Sequence, residues 1–203
     1  MEKIDHRKAL KHLYRPSAKA PVIVDVPKMN FLMIDGAGDP GTAQTYADAV
    51  EALYAVSYTL KFMVKKGPLA VDYSVMPLEG LWWADDMSAF ARNDRTNWLW
   101  TSMLMQPDLV TVQMFDAASD QVRQKKDPVA LDLMRFESFN EGRAAQIMHI
   151  GSYADEAPTI AGLHDFIATA GLARAGKHHE IYLGDPRRTA PEKLKTIIRQ
   201  PVA

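Results

Sequence analysis

Two stretches of the chain repeat one another, and each sets a single carboxylate inside an otherwise apolar strand. The first runs from Pro77-Leu78-Glu79-Gly80-Leu81-Trp82-Trp83 to Met105-Gln106-Pro107, and the second from His178-His179-Glu180-Ile181-Tyr182-Leu183 to Arg199-Gln200-Pro201. Matching them pairs Glu79 with Glu180 and Gln106 with Gln200. A duplicated pattern constrains the chain to two fused, pseudo-symmetric halves. Burying a carboxylate among aromatics is costly unless something compensates it, so the repeat also points to a pocket between the halves.

The rest of the sequence divides the same way. Val22 to Val26 is β-branched and stops at Pro27, and Asn30 to Ile34 closes on Asp35-Gly36-Ala37-Gly38-Asp39-Pro40, which reads as two strands bounded by turn residues. A helix is expected from about Thr42 to Val64, because Tyr46, Val50, Leu53, Ser57, Leu60 and Val64 recur in steps of three and four. A second ladder of Tyr54, Tyr58 and Phe62 implies cover on a neighbouring face. Val71 to Met76 alternates as a strand leading into the Glu79 segment, residues 84 to 97 read as a polar loop, and Trp98 to Met105 resumes a strand.

A connecting helix carries Val112, Phe115, Ala118 and Val122 at helical spacing. Leu133 to Phe139 and Ala145 to Ile150 read as a hairpin over Asn140-Glu141-Gly142, echoing a first hairpin of Val22 to Val26 with Asn30 to Ile34. Pro158 to Ala170 forms a shorter helix that Gly171 terminates. The order strand, strand, helix, strand, strand thus occurs twice. The expected fold class is α+β: one domain over residues 1–203, built of half-repeats 21–107 and 129–203 joined by a helix over 108–128, with antiparallel sheets and helices packed on them around a central ligand groove.

Composition removes several classes of function. A net charge of -1, with no basic run longer than two residues, leaves no footprint for nucleic acid. The absence of cysteine removes disulfides, thiolate metal ligands and thiol nucleophiles. The N-terminus has no apolar run behind a basic start, and no stretch approaches the roughly 20 apolar residues of a membrane span, so a soluble cytoplasmic protein is expected. No obligate protein partner is evident. The pair Gly36-x-Gly38 lacks the third glycine of a dinucleotide loop, and no serine sits in a Gly-x-Ser-x-Gly elbow. His178 and His179 point to opposite faces of a strand with no third ligand at a recognised spacing, so neither metal nor cofactor is expected.

With both halves laid out, the chain resembles the GyrI-like small-molecule-binding proteins, and within them the stand-alone branch that includes cyclopropanoid hydrolases. The segments that carry the resemblance are Phe31 to Gly36, Ser57 to Phe62, Pro77 to Trp83, Met148 to Tyr153 and His178 to Thr189. The resemblance implies two pseudo-symmetric halves with a ligand groove between them and a central glutamate that meets planar, lipophilic ligands. In the hydrolase branch it implies addition of water to the strained cyclopropane of DNA-alkylating compounds. The expected partner is therefore an aromatic small molecule. A non-catalytic sequestering or sensor protein is the alternative.

Strand alternation puts His178, Glu180 and Tyr182 on one face. Flanked by Tyr182 and roofed by indoles, Glu180 would be poorly solvated, with a raised pKa that suits proton transfer near neutrality. The expected catalytic residues are Glu180, Tyr182 and Tyr153, the carboxylate orienting or deprotonating water while a tyrosine hydroxyl holds it. Expected ligand contacts are Trp82, Trp83, Glu79, Trp100, Tyr54, Tyr58, Phe62, Met103, His149 and His178. Each also has a plain structural reading: Glu180 as an ion pair with Arg187 or Arg188, Glu79 as a solvent-facing residue, the tryptophans and methionines as core, the Tyr54 ladder as helix-to-sheet packing and His149 as an internal hydrogen-bond donor.

Overall fold

The computed structural model describes residues 2–84 and 97–203. Apart from its two end residues, the expected loop over 84 to 97 lies outside them. The chain forms two compact units: Met1–His6, Met29–Leu78 and Trp82–Phe139 in the first, and Arg7–Lys28, Glu79–Leu81 and Asn140–Ala203 in the second.

In the first unit, strand β3 (Met29–Ala37) lies between β6 (Leu99–Gln106) and β7 (Arg135–Phe139), antiparallel to both. Helix α3 (Gln44–Lys66) buries Ala49, Leu53, Val56, Ser57, Leu60 and Val64, one continuous stripe. Tyr46 and Val50, expected in that stripe, flank it as half-buried residues. The Gln106 side-chain amide donates to Ser57 Oγ at 3.1 Å, which shows that the alternate β6 residues Trp100, Ser102, Leu104 and Gln106 face α3. Trp100 lies over Gly36, its register partner on β3. A Cβ at position 36 would stand 2.2 Å from the indole, so this crossing admits only glycine.

Helix α4 (Val112–Lys125) is the expected connector; Thr111 caps it by accepting the Met114 amide at 3.3 Å, and Ala118 and Val122 are its buried residues. A separate two-stranded sheet pairs β1 (Glu2–Ile4) in parallel with β4 (Val71–Tyr73). The expected strand over Val71 to Met76 therefore stops at Tyr73, and a new strand, β5 (Leu78–Trp83), starts beyond Pro77.

The second unit orders its strands β2 (Val22–Val26), β8 (Gly142–Ile150), β10 (Lys195–Pro201) and β9 (His178–Tyr182), each antiparallel to its neighbour. The segment Glu79–Leu81 of β5 joins it beside β9. Preceding these strands, α1 (His6–Ala9) leads into α2 (Lys11–Tyr14). On one side of the sheet α5 (Ala157–Thr169) packs Leu163 and Ile167 against Ala145, Ile198 and Val202. On the other, α2 inserts Leu13 and Tyr14, both fully buried.

The two expected hairpins do not form. β2 pairs with β8 in the second unit, and β7 pairs with β3 in the first, so each repeat places its opening strand in a different unit from the strand that follows it. The physical reason at the first connection is Pro27: its ring holds φ near -65°, whereas a two-residue hairpin turn needs positive φ. At the second, the Glu141 side chain is drawn into the interior by Arg199 and His179 instead of capping a solvent-facing turn. Among the described residues no helix is long and apolar enough to cross a membrane.

Candidate functional site

Glu180 lies in the middle of β9, and period-two alternation sends its side chain to the α5 side of the second unit, beside Ile198 on β10. Its carboxylate is mostly covered, with 15% of the side chain exposed, and is held from both sides. Tyr182 Oη donates to Oε2 at 2.7 Å, and His178 Nε2 meets Oε1 at 3.1 Å. Tyr153, in a short 3-10 turn before α5, sets its ring edge-on to Tyr182 with centroids 5.6 Å apart. Burial, reinforced by the charges of Glu156, Glu180 and Asp185, pushes the Tyr153 hydroxyl up to about 12, so it serves as a proton-bearing hydroxyl at neutral pH. Each carboxylate oxygen can accept more than one hydrogen bond, so the two donors orient Glu180 without using up its capacity. Arg187 and Arg188 pair with Asp185.

One row further along the same side, Tyr182, Thr196 and His149 stand abreast on β9, β10 and β8. His149 Nδ1 lies 2.9 Å from Thr159 Oγ1 on α5, and Nε2 lies 3.2 Å from the Ser152 carbonyl, so the ring links β8 to the start of α5. A depression of about 400 Å³ opens there, lined by His149, Thr159, Ile147, Pro158 and Pro21 among others.

The opposite side of this sheet holds a chain of buried charge. His179 sits between two carboxylates: Nε2 donates to Glu79 Oε2 at 3.0 Å and Nδ1 to Glu141 Oε1 at 2.8 Å. Tyr14 Oη donates to the other oxygen of Glu79 at 2.8 Å. Arg199 Nη1 donates to the other oxygen of Glu141 at 3.0 Å, while its remaining nitrogens bond Gln146 Oε1 and the Leu13 carbonyl. The four charged side chains are at most 1% exposed. Two acids balance two bases, which is how such burial is sustained.

Burial alone would lower the His179 pKa, but the two carboxylates outweigh it and raise it to about 9, so the ring is an imidazolium at neutral pH. Burial likewise opposes ionisation of Glu141, and His179 and Arg199 outweigh it, holding the acid near 2. Tyr14 is raised well above the usual phenol range by burial and the neighbouring Glu79. The strand-borne Glu79 thus has both oxygens engaged and no exposed surface.

The remaining aromatic candidates belong to the first unit. Trp82, Trp100 and Met103 are core residues, 2%, 1% and 0% exposed. The Trp82 indole lies 5.9 Å from the ring of Tyr46 and 5.7 Å from that of Trp98. Trp83 is half-buried. On α3, Tyr54 stacks on Tyr58 at 6.2 Å, and Phe62 lies under the Lys66 ammonium; Tyr58 and Phe62 are 49% and 46% exposed. That ladder forms an aromatic strip at the surface of the unit. Among the described residues no cluster of three His, Asp or Glu side chains is arranged to hold a metal ion.

Sequence reasoning missed Tyr14, Glu141, His179 and Arg199 as a unit. A signal was present: Arg199 interrupts the β-branched run Thr196-Ile197-Ile198, and a cation at a core position of a strand requires a buried partner.

Comparison with known proteins agrees with this architecture. An uncharacterised conserved protein from Listeria innocua superposes with a TM-score of 0.91 at 45% identity, over 98% of this chain and all of that one. Two hydrolases from the same organism superpose with TM-scores of 0.89 and 0.86 at 44% and 43% identity, over 100% and 98% of this chain and all of theirs. No curated protein matches the chain in sequence. The family model of the GyrI-like small molecule binding domain matches residues 19–203. With its helix-covered sheets and a family match over nearly its whole length, the chain belongs to the GyrI-like small-molecule-binding family.

Proposed function

We propose that the protein binds planar, lipophilic aromatic molecules and hydrolyses cyclopropane-bearing, DNA-alkylating compounds in the cytoplasm, protecting the cell that makes it. The observation that carries this reading is the Glu180 cluster: a largely covered carboxylate held on one oxygen by Tyr182 and on the other by His178, with Tyr153 beside it. Two relatives of the same length and more than 40% identity are hydrolases, which supports chemistry over simple capture. Trp83, Tyr54, Tyr58 and Phe62 offer partly exposed aromatic surface in the first unit, and Trp82, Trp100 and Met103 belong to that unit's core.

In this mechanism the water oxygen bonds to the cyclopropane methylene as the strained carbon-carbon bond breaks. The released electron pair moves into the spirocyclic dienone and makes it a phenolate. Glu180 takes the proton leaving the water and returns it to the phenolate, so the net change is the addition of one water. Strain release and aromatisation drive the step, so the protein supplies positioning and one proton acceptor. The Tyr182 and Tyr153 hydroxyls hold the carboxylate and the incoming water, and His178 fixes the second oxygen.

Incubation with a spirocyclic cyclopropanoid tests the reading. Catalytic formation of the water adduct is expected, and Glu180→Gln should abolish it while leaving aromatic-dye binding intact. A sequestering protein, the reading favoured by the family's description as a binding domain, would give at most stoichiometric protection. Full turnover by the Gln variant would refute the role of Glu180.

A further inference from the structure

Thr196 is fully buried, and its hydroxyl has no hydrogen-bond partner among the described residues. Such a group is unfavourable unless something satisfies it. The duplication makes the observation twofold. Matching Gln106 to Gln200 aligns Ser102 with Thr196, and Ser102, 1% exposed and facing α3 in the first unit, also carries an unpartnered hydroxyl. Both matched strands thus carry a small hydroxyl residue at the same register position on the helix-covered side.

In the second unit this hydroxyl stands next to the acid. Thr196 is directly opposite Tyr182, and Ile198 is directly opposite Glu180, so Thr196 and Glu180 are diagonal neighbours on one side of the sheet. Diagonal pairs have Cβ atoms at most about 7–8 Å apart. From that separation a threonine hydroxyl and the longer glutamate arm can share one bridging water. On its other flank Thr196 is opposite His149, which lines the depression beside α5.

We infer that Thr196 is a further positioning residue of the site: its hydroxyl and the Glu180 carboxylate together hold the water that attacks the substrate. This rests on the hydrolase reading for the identity of the reaction, and on geometry alone for the water. In the reaction the Thr196 hydroxyl donates to or accepts from the water without changing its own protonation, fixing the oxygen while its proton passes to Glu180.

The test uses the full-length protein and the variants Thr196→Val, which is nearly isosteric and lacks only the hydroxyl, and Thr196→Ser, which restores it. A crystal structure of the wild type should show an ordered water between Thr196 Oγ1 and Glu180, missing in Thr196→Val. Turnover of a spirocyclic cyclopropanoid should fall about 100-fold in Thr196→Val, with aromatic-dye binding and melting temperature unchanged or higher, and should recover in Thr196→Ser. A wild-type crystal without that water overturns the inference, as does undiminished turnover by Thr196→Val in a protein whose Glu180→Gln variant is dead. A melting temperature lowered by several degrees in Thr196→Val also overturns it, since the hydroxyl would then serve the fold. If the water is present but the wild type turns over no cyclopropanoid, the water-holding role stands and the hydrolase reading fails.

Discussion

The buried pair of acids around His179 makes the stability of this protein fall on the alkaline side in a window where few groups titrate. In the unfolded chain the ring has its ordinary value of 6.5, and in the folded protein it is raised to about 9. A base with a raised folded-state value contributes stability that is complete below about pH 6.5 and is lost as the pH rises through about 9. Carrying the ring between those values corresponds to about 3 kcal/mol, at about 1.4 kcal/mol per pH unit, a large part of the roughly 5–15 kcal/mol that holds a domain together. Above the window His179 becomes neutral and keeps one N–H, so it can donate to only one of Glu79 and Glu141, and both acids lose their positive neighbour.

The assay is urea denaturation at half-unit steps from pH 6 to 9.5, compared with His179→Gln. Tyr14 does not interfere, because its raised value keeps it protonated there. The wild type should lose about 1 kcal/mol per pH unit above pH 7. His179→Gln should show no such slope and should already be about 3–5 kcal/mol weaker at pH 7, the cost of removing one partner of a buried ion pair. A flat wild-type profile, or the same slope in His179→Gln, would refute the imidazolium assignment.

Gly36→Ala should destabilise the first unit by more than about 1 kcal/mol and perturb tryptophan fluorescence, because the new methyl collides with the Trp100 indole; an unchanged melting temperature would contradict the close crossing. Thr111→Ala removes the cap of α4 and should cost about 1 kcal/mol in thermal unfolding. Leu163→Ala in the α5 core should cost about 2–5 kcal/mol in denaturant unfolding, a larger loss than the cap. Arg135, which contacts Asp35 and Glu137, keeps 39% of its side chain exposed, and Arg135→Ala should change stability by less than about 1 kcal/mol.

Much of the fold is legible in the sequence because its signals are local. The 3.6-residue stripe of α3, the Gly171 stop after α5 and the β-branched runs of β2 and β10 all mark elements that form where periodicity puts them. The cluster of His178, Glu180 and Tyr182 is legible for the same reason, since residues two apart on one strand share a face. Pairing was not legible: nothing in Val22 to Val26 says that its partner is β8, more than 100 residues away, because strand pairing is decided by contacts remote in sequence. The buried chain of charge that runs from Glu79 through His179 was hidden likewise, since its other members Tyr14, Glu141 and Arg199 come from three separate regions of the chain. The first-turn residues of α2 carry no amphipathic period long enough to announce that Leu13 and Tyr14 are core.

The exchange of opening strands has a consequence for cutting the chain. A fragment of residues 21–107 would keep β3, α3 and β6 but leave β3 without β7 and strand β2 without β8. Unpaired strand edges of that kind are templates for another chain, so the fragment is expected to associate with itself or with the remaining residues instead of standing as an independent domain.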